Sequence, residues 1–262
     1  MEHIVSFSGG KDSTAMLLMM LEKNMPIDEI IFCDTGKEFP QMYEHIEKVQ
    51  KYIGGGITVL HGEKTFDYYM FDHVKTKGKH KGKKGYGWSN MLCRWCTAAL
   101  KQTPLKKHME GREYISYIGI AYDEPKRHQN IPANVIHPLY DWQVTEKMAL
   151  QYCYERDFDW GGLYEHFDRV SCWCCPLKNN KELMQLYVHY PELWQELKDM
   201  DNRAYNKFKG KGVDYYEQKI IQKLRNKQMS LFGEMMKRGK EQEYALRCSR
   251  GARQAQQGHD SV

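Results

Sequence analysis

No run of 18 apolar residues occurs anywhere in the 262-residue sequence, so no transmembrane helix is expected. The first residues lead straight into a short apolar run, with no basic segment and apolar core of the secretory kind, so no signal peptide is expected and a cytoplasmic location follows. No internal repeat is present. Charge excess is also scant: 39 Lys and Arg against 34 Asp and Glu leave +5, which does not by itself demand a nucleic-acid partner. Eight cysteines in such a chain argue against a disulfide framework. Hydrophobic residues make up 41%, enough for a core.

What is present is concentrated at the start. Ile4-Val5-Ser6-Phe7 runs into Ser8-Gly9-Gly10-Lys11-Asp12-Ser13, and an apolar stretch from Ala15 to Leu21 follows. That reads as strand, glycine-rich turn and helix. The two glycines let backbone pass close to a ligand, because no Cβ intervenes. The helix start offers unpaired N–H groups and a positive dipole end. Lys11 adds a mobile charge, and Ser8 and Ser13 add hydroxyls. The chemistry is phosphate binding. The spacing is neither that of the Walker loop nor that of the dinucleotide fingerprint. It resembles the pyrophosphate-binding PP-loop of the ATP pyrophosphatase superfamily.

Strands are expected at His3–Ser6, Glu29–Cys33, Ile57–Leu60, Tyr114–Ile120 and Asn134–Ile136, with helices at Thr14–Lys23 and Gln41–Tyr52. Alternation of the two implies an α/β fold with a doubly wound, mostly parallel sheet. From about Thr145 the pattern turns helical: Leu183, Leu186, Tyr187 and Tyr190 recur at helical spacing, as do Leu193, Trp194 and Leu197. The expected division is 1–177 for a nucleotide-binding domain, 178–247 for a helical extension and 248–262 for a polar, disordered tail. Within the first part, Phe71–Gly87 is rich in Lys and Gly without apolar period and reads as a loop. It is either a solvated excursion or, through Lys75–Lys84 with Tyr86 and Trp88 free to stack, an arm for a phosphate backbone.

Three further segments extend the resemblance. Cys33-Asp34-Thr35-Gly36-Lys37-Glu38-Phe39-Pro40 follows the second strand and resembles the matching turn of the phosphoadenylylsulfate reductase family, a branch of the PP-loop superfamily. Beyond the strand ends it is expected to face the same crevice as the Ser8–Ser13 loop. Gly119-Ile120-Ala121-Tyr122-Asp123-Glu124-Pro125-Lys126-Arg127 is similar to that family's Gly-Ile-Arg-x-Asp-Glu-Ser pattern with its nearby Arg. Here Ala121 replaces the first Arg and Pro125 the Ser, while Arg127 is retained. The cysteines cluster as Cys93-x-x-Cys96 and Cys172-Trp173-Cys174-Cys175, a spacing that suits metal ligation by two thiolate pairs. The set resembles the iron–sulfur branch of the family, although the first pair there is adjacent.

The resemblance covers roughly Met1 to Leu177. It implies an adenine nucleotide alpha hydrolase-like fold and ATP with Mg²⁺ as the bound nucleotide. Ser8, Gly9, Gly10, Lys11, Asp12, Ser13, Asp34, Thr35, Gly119 and Arg127 would hold the nucleotide, with Lys11 and Asp12 catalytic. Cys93, Cys96, Cys172 and Cys175 would hold a [4Fe–4S] cluster or Zn²⁺, with Cys174 as the competing thiol. The expected reaction is adenylation of an acceptor followed by sulfur transfer, with a sulfur donor or cysteine desulfurase as partner, nucleic acid as one class of acceptor and no membrane partner. Two alternatives stand beside it: reduction of an adenylyl sulfate, and nucleotide sensing without chemistry. Reduction needs a nucleophilic cysteine. The family's Glu-Cys-Gly-(Ile/Leu)-His motif is missing, and Cys248 stands instead in Leu246-Arg247-Cys248-Ser249-Arg250.

Overall fold

The computed structural model describes residues 1–78 and 80–229. Five strands form one parallel sheet: β1 (Glu2–Ser6), β2 (Glu29–Asp34), β3 (Thr58–His61), β4 (Tyr114–Ile118) and β5 (Val135–Ile136), in the order β3-β2-β1-β4-β5. Val5 pairs with Ile30 on one side and with Tyr117 on the other, so β1 is central and the strand order reverses across it. Short apolar runs suit this position, since a parallel sheet is covered on both faces. Ile4 and Ile31, with Cys33 and Leu60, pack on Leu105 and Met109. The alternate residues Val5, Ile30 and Phe32 are buried as well. Each expected strand is found, with ends shifted by one or two residues.

Helices α1 (Lys11–Glu22) and α2 (Pro40–Ile53) connect the first three strands. Expected from Thr14, α1 begins at Lys11, so the last residues of the glycine-rich motif are themselves the first helical turn. Most of α1 is buried, Lys11 included, because the helix Glu146–Tyr154 packs along it. From Glu146 the chain is largely helical, close to the expected start near Thr145, with longer helices at Asn180–His189 and Pro191–Arg203. The first of these starts at a complete capping box of Asn179 and Glu182.

One compact unit spans Met1–Val213 and a second begins at Asp214. In the second, residues 214–229 are helical. The proposed tail and Cys248 lie outside the described residues. Within the first unit, Asp201 is nearly inaccessible yet fully served. Its Oδ1 accepts from Trp88 Nε1 (2.9 Å) and Phe208 N (2.6 Å), and its Oδ2 from Val213 N (3.0 Å). Trp88 is therefore a core residue and not free to stack on a ligand, as the sequence suggested; its indole proton is committed and only 4% of its surface is exposed.

Candidate functional site

The C-terminal ends of β1, β2, β3 and β4 lie along one edge of the sheet, where a doubly wound fold places its ligands. At the end of β1, Gly9 takes φ +77° and Gly10 φ −74°, which turns the chain directly into α1. Side chains then tie the turn. Ser8 N donates to Ser13 Oγ (3.2 Å), Ser13 Oγ donates to the Gly10 carbonyl (3.0 Å), and the two serine hydroxyls are 3.0 Å apart. From the far part of the chain, Trp160 Nε1 donates to the Gly9 carbonyl (2.7 Å). Behind it, His45 stacks on Trp160 at 4.3 Å and bonds Thr14 Oγ1 through Nε2 (3.0 Å). Burial pushes His45 down to about 3, so this support stays neutral.

A small polar cavity of about 110 Å³ opens here, lined among others by Ser8, Gly10, Lys11, Asp12, Gly119 and Arg127. Gly119 is obligatory: a Cβ there would lie 2.9 Å from Asp12 C and Ser13 N, both backbone atoms. The end of β4 thus packs straight onto the first turn of α1. Ser8, Gly10, Lys11, Asp12, Ser13, Gly119 and Arg127 are brought together as the motifs implied. Gly9 shapes the same turn.

Four participants carried no assignment in the sequence. Tyr164 OH accepts the Lys11 N–H (2.8 Å) and keeps its own proton for another acceptor. Glu146 Oε2 lies 2.5 Å from Lys11 Nζ. Arg169 lines the cavity, its guanidinium 3.8 Å from Glu124, which also accepts from Arg127 (2.7 Å). Trp160 is the fourth. Only Arg169 had a visible signal, a cation just before the second cysteine group. The others stand in the helical segments, where no local pattern marks them.

The cavity is cationic but internally neutralised, with Lys11, Arg127 and Arg169 facing Asp12, Glu146 and Glu124. Desolvation by burial pushes Asp12 up to about 6, Lys11 opposes, and the two glutamates add to the rise. Asp12 Oδ1 is buried with no hydrogen-bond partner. That orphan oxygen fits Mg²⁺, which binds through one or two carboxylates together with substrate phosphates.

Asp34 and Thr35 lie elsewhere. They line a larger cavity of about 660 Å³ with His61, Lys64, Phe66 and Tyr68 at the ends of β2 and β3. Asp34 Oδ1 accepts from Gly36 N and from Tyr43 OH, both at 2.8 Å. Thr35 is buried and donates to Glu38 Oε1 (3.0 Å). The structure therefore does not bring these two residues into the small cavity at the head of α1.

The four thiols proposed as ligands are only partly gathered. Cys96 bears electrostatically on Cys175, and Cys175 on Cys172. Cys172 Sγ lies 3.5 Å from Thr35 Oγ1 and 3.6 Å from Glu38 Oε1. Burial pushes the Cys172, Cys174 and Cys175 thiols up. Cys93 stands exposed on a turn pinned by Asn90. Among the described residues no group of three or more His, Cys, Asp or Glu is set to hold a metal ion. In this arrangement the residues do not fit a cluster or a zinc ion, and no chemical step is routed through one.

An uncharacterized protein of Methanocaldococcus jannaschii is 29% identical over 212 residues, covering 76% of this chain and 47% of the relative. An uncharacterized nin region protein of Escherichia phage lambda is 32% identical over 169 residues, covering 57% of this chain and 58% of the relative. The chain thus spans about half the length of the curated relatives it matches. Among solved structures, a phosphoadenylyl-sulfate reductase from Candida auris in its phosphate complex aligns with TM-score 0.46 at 17% identity, covering 65% of this chain and 81% of that one. A U34-tRNA thiolase from Methanococcus maripaludis with its [4Fe–4S] cluster aligns with TM-score 0.41 at 15% identity, covering 84% and 72%. The model of the phosphoadenosine phosphosulfate reductase domain matches residues 2–178, and this chain belongs to that family.

Proposed function

We propose that this chain is an ATP-dependent enzyme that adenylates an acceptor oxygen and then lets sulfur replace it. The observation that carries this reading is the small polar cavity at the head of α1, where the Ser8–Ser13 turn, Gly119, Arg127 and Arg169 surround a buried Asp12 oxygen without a partner. The α1 N-terminus and the serine hydroxyls suit the β- and γ-phosphates. Lys11, released from Glu146, neutralises the leaving pyrophosphate, and such preorganised charge is worth most in a site closed to water. Asp12 would hold Mg²⁺, which supplies counter-charge to the phosphates.

The acceptor oxygen forms a bond to the α-phosphorus. The bond from that phosphorus to the bridging oxygen breaks, and its electron pair leaves on pyrophosphate. A hydrosulfide-class donor then attacks the carbon bearing the adenylated oxygen, and AMP departs with that oxygen. No redox change occurs in either step. Of the cysteines considered as a nucleophile for the alternative, sulfonucleotide reduction, Cys174 is 1% exposed with its thiol pushed well up by burial, which opposes attack on a bound substrate.

The test is product analysis of ATP incubated with the protein and Mg²⁺, by ion exchange or phosphorus NMR. The reading expects AMP and pyrophosphate, with water as a slow acceptor when no other is supplied. ADP and inorganic phosphate would overturn it.

A further inference from the structure

From His73 to Met109 the sequence contains ten Lys and Arg and no Asp or Glu, against a net charge of +5 for the whole chain. The rest of the chain is therefore net acidic, and the cationic character is gathered in one segment. Read from sequence as a loop, the lysine-rich part is folded. Val74 pairs with Lys84 in an antiparallel bridge, Lys75 N donates to Lys83 O (3.0 Å), Gly82 N to Lys75 O (2.8 Å) and Gly85 N to His73 O (2.8 Å). Its foot is fastened by aromatic contacts. Tyr86 stacks on His73 at 4.6 Å and bonds its Nε2 (2.8 Å), and Trp95 lies 5.8 Å from Tyr86. Lys75 is held over the Tyr205 ring at 4.1 Å. Lys77, Lys81, Lys83 and Lys84 are exposed and have no carboxylate partner among the described residues.

Next to the hairpin a second feature points outward. Asn90 Oδ1 accepts from both Leu92 N and Cys93 N at 2.9 Å, and Asn90 N donates to Cys93 O (3.1 Å). The turn so fixed presents Met91 at 76% and Leu92 at 99% exposure. Two adjacent apolar side chains on a pinned turn, beside hairpin lysines without a carboxylate partner among the described residues, suit a ligand that is anionic along its backbone and apolar on its flat faces.

We propose that the exposed hairpin lysines Lys77, Lys81, Lys83 and Lys84, together with Met91 and Leu92, form a docking surface for a single-stranded nucleic acid. The hairpin lysines carry the phosphates, and Met91 and Leu92 lodge against unstacked bases. Apolar wedges of this type part base steps, and lysines bound to phosphates give salt-dependent affinity by counterion release. Two apolar side chains are few for anchoring on lipid, which favours the strand over an anionic membrane. Tyr68 joins this surface to the working edge of the sheet: it contacts His73 at the hairpin foot (6.1 Å) and lines the cavity at the ends of β2 and β3. As the acceptor's docking site, the surface rests on the adenylation reading; as a strand-binding surface it does not.

The experiment titrates full-length protein against single-stranded RNA and DNA oligonucleotides carrying 2-aminopurine, at several salt concentrations, following anisotropy and base fluorescence. Binding of either strand, weakening steeply with salt, supports the proposal. Changing Lys77, Lys81, Lys83 and Lys84 to Gln together should flatten the log–log slope by roughly 3 units, at roughly 0.7 per phosphate contact on single strands. Met91→Ser with Leu92→Ser should leave that slope in place and abolish the 2-aminopurine signal. Absence of binding at low salt overturns the proposal. So does equal binding to inorganic polyphosphate without a fluorescence change, or tighter binding to phosphatidylserine vesicles. ATP cleavage, measured on the same variants, separates the two readings. The variants should cleave ATP as wild type does, and loss of strand binding with cleavage intact sinks only the docking surface.

Discussion

Lys11 Nζ lies 2.5 Å from Glu146 Oε2, across 135 positions of sequence. The lysine of the glycine-rich turn is thus held by a carboxylate from a different part of the chain, and on the proposed reading an arriving phosphate would release it. Asp12 stands 3.5 Å away on the other side, and Lys11 is only 5% exposed. On the proposed reading, Glu146 stands in for the ligand's negative charge.

Glu146→Gln should therefore destabilise the empty protein by about 1–3 kcal/mol, less than for a wholly buried pair because the glutamate is partly exposed. Added pyrophosphate should restore the loss by supplying a new partner for Lys11. Thermal unfolding with and without pyrophosphate is the check. A variant equally destabilised in both conditions would mean that Glu146 serves packing alone.

Lys11→Ala removes the charge that follows pyrophosphate as it leaves. It should lower the rate of pyrophosphate release by about 2–4 kcal/mol of transition-state stabilisation, the scale for one preorganised group. Nucleotide binding should suffer less than the rate. An effect confined to binding would assign Lys11 to holding the ground state only.

Asp12 makes a pH-dependent case. Burial pushes its carboxyl up to about 6 from an ordinary 3.8. Because the folded value lies above the unfolded one, the protonated group favours the fold. That contribution is complete below about pH 4 and is lost as pH rises through 6. Asp12→Asn keeps a neutral group at all pH values. It should be more stable than wild type by up to about 2 kcal/mol at pH 8 and show no such advantage at pH 4. Mg²⁺-dependent ATP cleavage should vanish. Urea unfolding at both pH values decides it, and an advantage at pH 4 alone would reverse the assignment.

Much of this was legible in the sequence, for identifiable reasons. Ile30, Ile31 and Phe32 form a short apolar run between turns, which suits a strand buried on both faces. Ser8 to Ser13 are contiguous, so one local motif contains the whole turn at the head of α1. Glu146, Trp160 and Tyr164 reach the same turn through tertiary packing, and their neighbours in sequence form ordinary helical pattern. Asp34 was placed with the phosphate turn because strand ends share an edge. That edge is wide enough for two cavities, and Asp34 turns into the one beyond β2. Trp88 looked like a stacking platform because its partner, Asp201, is 113 residues away.

Gly119→Ala tests the close approach of β4 to α1. The added Cβ would meet backbone at 2.9 Å on two atoms, and backbone in a buried helix start cannot swing aside as a side chain can. A cost of about 1–3 kcal/mol is expected from overpacking, with a larger fall in ATP affinity than in stability, since the strain falls on Asp12 and Ser13. Unchanged nucleotide affinity would show that the first turn of α1 takes no part in binding.

The cysteines give the last test. Cys93 is exposed, whereas Cys153 and Cys174 are almost fully buried. Burial pushes the Cys153 thiol up to about 12 and the Cys174 thiol well above its ordinary value. Only thiolate reacts with an alkylating agent, so both burial and protonation slow these two. Brief iodoacetamide treatment of the folded protein, followed by peptide mapping, should label Cys93 first. Cys153 and Cys174 should lag by about a hundredfold or more and react only on unfolding. A different pattern would be decisive against this arrangement. If Cys93, Cys96, Cys172 and Cys175 were protected as a set, and all four became reactive together when a chelator was added, a metal would be drawing the Asn90 turn inward. The ligand set implied by the sequence would then be closed, at the cost of the exposed position that Cys93 holds in this structure.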